Sequence, residues 1–265
     1  MTNSNQSFSV VRFGKQALLL TCFLAFSACG GNDYSNAERL PDDPSDEKVV
    51  DTIDTPSTET DDTQTDTSQP VAEEPANESE VSASAKAEIL KQYDHLDPNR
   101  VVKQSALEKA VLYFHNNKSK FKNRNYISLI DFSKRSTQAR FYIIDMNSGG
   151  VWAIHVAHGK GSDPDHDGYA QKFSNSSGSN ASSLGYYRAA ETYTGKHGLS
   201  LRLDGLSSTN SKARSRAVVI HGADYVKEAS VIQGRSWGCP AVTMSYRTKV
   251  INALKGGSLI YAFAN

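Results

Sequence analysis

Cysteine is scarce in this chain, with three residues in 265. Cys22 and Cys29 lie in or beside an N-terminal targeting segment, so Cys239 is the one thiol of the remaining sequence. A framework of structural disulfides is thereby excluded. No Cys/His cluster has zinc-ligand spacing, and no glycine-rich phosphate loop occurs, so neither a metal nor another cofactor is expected. The bases have no aromatic platforms among them, which argues against nucleic acid as a partner. Internal repeats are absent. Hydrophobic content is 38%, low for a fully packed chain, so part of the sequence must lie outside any core.

The longest apolar run, Ala17 to Ala28, is too short to span a bilayer comfortably. It follows Arg12 and Lys15 and ends Phe26-Ser27-Ala28-Cys29, the layout of a secretory signal. Small residues just before a cysteine resemble the lipobox of bacterial lipoproteins, although Phe26 stands where leucine is usual. That resemblance implies cleavage after residue 28 and lipidation of Cys29; ordinary signal cleavage and a retained anchor are the alternatives. Gly30 in place of Asp implies the outer membrane. The expected location is the periplasm, with the membrane reached through the lipid on Cys29.

The net charge of +0 is a sum of unlike parts. Between Asp33 and Glu80 there are 16 acids against Arg39 and Lys48, whereas residues 81–265 hold 13 acids against 25 bases. Residues 29–85 are Asp, Glu, Thr, Ser and Pro with almost no large apolar side chain, a composition that cannot offset chain entropy. They are expected to form a disordered tether whose root-mean-square span, for roughly 50 residues, is about 40 Å. The basic remainder, 86–265, is the expected folded domain. It would suit an anionic membrane face or a carboxylate-bearing polymer.

Within that domain Leu107, Val111 and Phe114 share one helical face between Ser105, a candidate N-cap, and His115. The period then shortens to that of strands over 126–132, 140–145 and 151–156, with Asn147-Ser148-Gly149-Gly150 as a hairpin turn. Further strands are expected over 200–206, 217–221 and 258–263, and one short helix between Val242 and Leu254. The fold class is thus mainly β, a β-rich α+β domain with a few peripheral helices. A Ser/Asn/Gly-rich loop runs from about Lys160 to Ser183.

The chemistry concentrates in Val218-Val219-Ile220-His221-Gly222 and, fourteen residues on, Ser236-Trp237-Gly238-Cys239-Pro240. A thiol nucleophile needs a base, donors for an oxyanion and a backbone that can present them. His221 at a strand end can serve as the base, and a charged imidazole lowers a cysteine pKa. Gly238 permits a tight turn that would aim the amides of Gly238 and Cys239 at one point. From the count alone, a buried and inert Cys239 is equally open.

These segments resemble the murein L,D-transpeptidase catalytic domain family (YkuD-like), whose hallmark is His-Gly followed by [Ser/Thr]-x-Gly-Cys. Ser182-Ser183-Leu184-Gly185-Tyr186-Tyr187 is similar to the family's Thr-Pro-x-Gly-x-aromatic segment. The stretch Gly195 to Gly205 and the Arg-Ser-Trp-Gly-Cys-Pro-Ala-Val signature look like its Gram-negative lipoprotein branch. The resemblance covers roughly the last 140 residues. It implies a mixed β-sheet sandwich or barrel, Cys239 as nucleophile, His221 as base and the amides around Gly238 as the oxyanion site. Ser236 takes the Ser/Thr position, where it orients the loop or the substrate or merely stabilises the turn. Trp237 replaces a frequent histidine, and Ala241 and Val242 stand where Asn or Arg often follows. Arg235 is therefore the substitute candidate for a substrate carboxylate, with Trp237 and Gly222 beside it as further substrate-binding candidates. The partners implied are peptidoglycan stem peptides, met by a monomer. The activity implied is transpeptidation through a cysteine thioester, with L,D-carboxypeptidase hydrolysis as the alternative. A non-catalytic wall-binding lipoprotein is the reading from another class.

Asp163-Pro164-Asp165-His166-Asp167-Gly168 resembles the start of a calcium loop, but position twelve is Ser174, so a solvated acidic turn is expected. His155, His158 and His197 are expected to be ordinary hydrogen-bonded histidines, although His155 or His158 could line the cleft.

Overall fold

The structure is a computed structural model that describes residues 83–265. The signal segment 1–28, Cys29 and nearly all of the tether lie outside the described residues.

The described residues open with α1 (Ala83–Lys91) and α2 (Gln104–Asn116). Leu107, Val111 and Phe114 of α2 are buried, as their spacing requires. Ser105 is not the cap: Lys103 occupies that position without a side-chain hydrogen bond, and Ser105 lies inside the first turn.

Eight strands follow, β1 (Tyr126–Asp131), β2 (Phe141–Asp145), β3 (Val151–Ile154), β4 (Gly185–Gly195), β5 (Gly198–Gly205), β6 (Val219–Ala223), β7 (Ala241–Thr243) and β8 (Leu259–Phe263), with α3 (Met244–Leu254) between the last two. They form one sheet in the order β3-β2-β1-β8-β4-β5-β6-β7. The pairs β1/β8 and β6/β7 are parallel and the rest antiparallel. Beyond β3 the chain reaches β7, where the Ala157 amide donates to the Ala241 carbonyl at 2.9 Å, so the two ends of the sheet meet and the sheet nearly closes into a barrel. Closure removes edges that would otherwise expose unpaired backbone.

Two strands escaped the periodicity. β7 is three residues long, and β4 carries a register shift between Ala189 and Thr192 that breaks its alternation. The central strands are buried on both faces. Ile127, Leu129, Tyr142, Ile144, Leu259 and Phe263 pack under α2, while Ile130, Ile143, Ile260, Ile220 and Val242 share the second core with Val250, Ile251 and Leu254 of α3. Such double burial is why these strands read as near-continuous apolar runs. Residues 160–183 hold neither helix nor strand, and they fold over the turn that carries Cys239.

Candidate active site

β6 and β7 bring the two motifs together. Their parallel register sets His221 opposite Ala241, two residues beyond Cys239. His221 is only 3% exposed, and its Nδ1 lies 3.1 Å from the Gly222 carbonyl. A carbonyl can only accept, so Nδ1 carries the proton and the neutral ring keeps its lone pair on Nε2. Burial pushes the imidazole pKa down to about 4, partly offset by that hydrogen bond and reinforced by His197, whose ring stacks on it at 4.4 Å. His221 is therefore held neutral at pH 7, the form in which a base can accept a proton.

The turn before β7 is held by one hydroxyl. Ser236 Oγ donates to the Cys239 carbonyl at 2.6 Å and accepts from the Gly238 amide at 3.1 Å. Ser236 is buried and braces the turn. Because that bond engages the Gly238 amide, the expected pairing of Gly238 and Cys239 amides as joint oxyanion donors is not the arrangement seen. Gly238 sits at φ +116°, a conformation that L side chains rarely adopt, and a Cβ there would lie 2.8 Å from the Ala181 carbonyl oxygen. A Cβ on Gly159 would meet the Gly238 backbone, also at 2.8 Å, so two glycines let the 159 and 238 segments touch. Cys239 is half-buried, and its Sγ–H points to the Ala217 carbonyl at 3.7 Å.

Beneath the turn lies a buried polar network that the sequence did not disclose. Arg140, fully buried, donates to the Val156 and Lys134 carbonyls and to His158 Nδ1 at 2.8 Å. Arginine only donates, so His158 Nδ1 accepts, and Nε2–H donates to the Asp163 carboxylate at 3.0 Å. Burial, with Arg140 beside it, drives the His158 pKa down to about 4. Burial alone would raise the Asp163 pKa, but hydrogen bonds from His158 and the Gly168 amide hold it below the usual range. The His158 carbonyl accepts from the Ser236 amide at 2.9 Å, which ties the network to the turn that carries Cys239. His158 thus supports the site from below, while His155 bonds Glu228 at 3.0 Å.

The remaining candidates sit as follows. Arg235 Nη1 donates to the carbonyls of Asp163 and Pro164, bracing the 163–168 loop. Trp237 is half-buried with the Lys160 ammonium 4.3 Å from its ring centre, a cation–π contact. Gly222 serves packing: a Cβ would strike Arg247 and Met244 of α3 at 2.8 Å. Asp163 is fully buried, which corrects the expectation of a solvated acidic turn at that position, although Asp165 is exposed. Carboxylate oxygens of Asp163, Asp165 and Asp167 lie within 4.8 Å of one another.

Two residues of the site were missed by sequence reasoning. His197 was read as ordinary, yet β5 follows it directly and its Ser200–His221 register lays one ring on the other. Arg216 lies five residues before His221 and reaches the carbonyl of Ala181, the atom that Gly238 grazes. Its position ahead of the His-Gly strand was the available signal.

Residues 98–263 match the L,D-transpeptidase catalytic domain family, and the chain belongs to that family. A search of curated proteins returns no match. Among solved structures the chain is similar to Bdellovibrio bacteriovorus Bd1075 (15% identity, TM-score 0.35, 56% of this chain and 50% of that one). It is similar also to Mycobacterium tuberculosis L,D-transpeptidase 1 (14%, 0.28, 52% and 60%). A third is the L,D-transpeptidase (Yku) of Stackebrandtia nassauensis (12%, 0.33, 69% and 77%). The chain thus spans 50% and 60% of the length of the first two.

Proposed function

We propose that this protein is a peptidoglycan L,D-transpeptidase that uses Cys239 as nucleophile and His221 as base. The observation that carries this reading is the register of β6 on β7: it sets His221, with Nε2 unprotonated, two residues from the position of a half-exposed thiol. Sγ passes its proton to Nε2 and attacks the carbonyl carbon of the bond between the L-centre of the third stem residue and D-alanine. The tetrahedral oxyanion collapses, the C–N bond breaks, and Nε2–H returns the proton to the departing D-alanine amine. A thioester remains on Cys239. The amine of a second stem then attacks it, His221 takes the amine proton, and the thiolate leaves a cross-link between two diaminopimelate residues.

With purified tetrapeptide muropeptides, wild type forms dimers and Cys239→Ala forms none; dimers from the variant refute the reading. Free D-alanine without dimers assigns hydrolytic trimming instead. Wall binding with no thiol-dependent product of either kind assigns the non-catalytic reading.

The protein is further proposed to act in the periplasm from the outer membrane, held by lipid on Cys29 with residues 29–85 as the linker to the catalytic domain. The lipobox-like Ser27-Ala28-Cys29 and the acidic Thr/Ser/Pro composition support this. Palmitate labelling that persists in Cys29→Ser overturns the anchor.

A further inference from the structure

A thiolate at Cys239 needs a positive neighbour, and His221, held neutral by burial, does not supply a standing one. A cation reaches the turn from another direction. Arg216 Nη1 donates to the Ser174 carbonyl at 2.7 Å and to Ser183 Oγ at 3.4 Å, and Nη2 to the Ala181 carbonyl at 2.7 Å and Ser179 Oγ at 3.3 Å. All four acceptors are neutral. The side-chain ion pairs of arginine among the described residues belong to Arg188, Arg202 and Arg214, not to Arg216. Arg216 therefore brings a half-buried cation into the site with no carboxylate to balance it, an arrangement that costs free energy unless an anion is present at work.

The placement names that anion. Nη2 lies 3.3 Å from where a Gly238 side chain would begin, and the Cys239 thiol, while protonated, donates to the carbonyl of Ala217, the residue after Arg216, which places the sulfur on the same side of the turn. Ala217 holds φ +53° to do so, a left-handed conformation uncommon for alanine. The acidic groups in electrostatic contact with Arg216 are Tyr187 and Cys239. Tyr187 is buried, its hydroxyl is pushed up to about 12, and it stays neutral at pH 7. The other charged or titratable groups around the turn are His221, backed by His197, Lys160 over Trp237, Arg235 next to Ser236, and the Arg140–His158–Asp163 network beneath.

We infer that Arg216 is the charge partner of the Cys239 thiolate, fixed under the 174–183 loop so that the sulfur ionises without an imidazolium beside it. The step involves the S–H bond alone: the sulfur keeps the electron pair, and the proton goes to water in the free enzyme or to His221 Nε2 during attack. The inference rests on the reading of Cys239 as nucleophile, and it gives the site a cation that Ala241 and Val242, after the cysteine, do not provide.

The test follows the rate of Cys239 alkylation by iodoacetamide against pH, without peptidoglycan. Arg216→Gln is expected to raise the apparent thiol pKa by about one unit, a tenfold loss of thiolate near neutrality. Its rate should converge on wild type above the thiol pKa, which a collapsed turn would not allow. Arg216→Lys keeps the cation and should return the profile at least halfway. His221→Gln leaves Arg216 and its loop in place, and its thiol pKa should remain below the ordinary value of about 8.5. A pKa unmoved by Arg216→Gln, or restored to 8.5 or above by His221→Gln, overturns the inference; the second result decides the matter even if the arginine variants do not fold. A thiol inert at every pH in wild type instead overturns the transpeptidase reading itself.

Discussion

Cys239, His221 and the groups that touch them show how one residue sets the state of another. The stacked His197 ring opposes a positive charge on His221, so His197→Phe, which keeps an aromatic face, should raise the His221 pKa from about 4. If His221 is the base proposed above, it works only when unprotonated, so the acid limb of the pH–rate profile should move to higher pH in the variant. Profiles that superimpose would show that His197 is only packing. Gly238→Ala tests the turn: at φ +116° and 2.8 Å from the Ala181 carbonyl oxygen, a methyl group should destabilise the protein by about 1–3 kcal/mol and abolish acylation. At this scale the sequence was informative where a residue type carries its own chemistry. A lone thiol and a His-Gly pair after an apolar run stand out in one dimension, although His221 lies in the middle of β6 and not at its end as expected. The stack of His197 on His221 and the approach of Arg216 do not, because the first depends on the register of β5 on β6 and the second on how the 174–183 loop folds onto Arg216.

Among elements, the turn before β7 and the 158–168 segment act as one body, joined through Ser236 and the Arg140–His158–Asp163 network. Ser236→Ala removes two hydrogen bonds within the turn, which at about 1 kcal/mol each should lower stability by about 2 kcal/mol and reduce kcat, with Ser236→Thr restoring both. Unchanged turnover in the alanine variant would make the hydroxyl dispensable. Strand and helix periods disclosed most elements because their burial is regular, as in β1, β2 and α2. They failed for β4, bent by a register shift, and for β7, too short to show a period. Ser105 was misplaced as a cap because helix start is set here by the approach of the chain through Val102 and Lys103, which no side-chain cap marks.

For the molecule as a whole, two buried histidines couple protonation to folding. The pKa values of His158 and His221 fall from 6.5 in a free side chain to about 4 when folded. Between these values the unfolded chain binds protons that the folded one excludes, so stability is full above about pH 6.5 and declines as pH falls toward 4. Each histidine accounts for up to about 3 kcal/mol. The melting temperature should drop steeply over that window, less steeply in His158→Gln; a flat profile would show that neither ring is held neutral. Fold class was legible because short apolar runs bounded by turn residues define a β-rich domain locally. Sheet closure, through Ala157 on Ala241, was not, since it joins residues more than eighty positions apart.

Acyl-enzyme trapping shows whether Cys239 carries the acyl group. Purified protein mixed with a tetrapeptide muropeptide lacking an acceptor amine should gain, on the peptide bearing Cys239, the mass of the donor less D-alanine, and Cys239→Ala should gain nothing. A donor adduct on any other residue, or D-alanine released at an equal rate by Cys239→Ala, would refute Cys239 as the nucleophile.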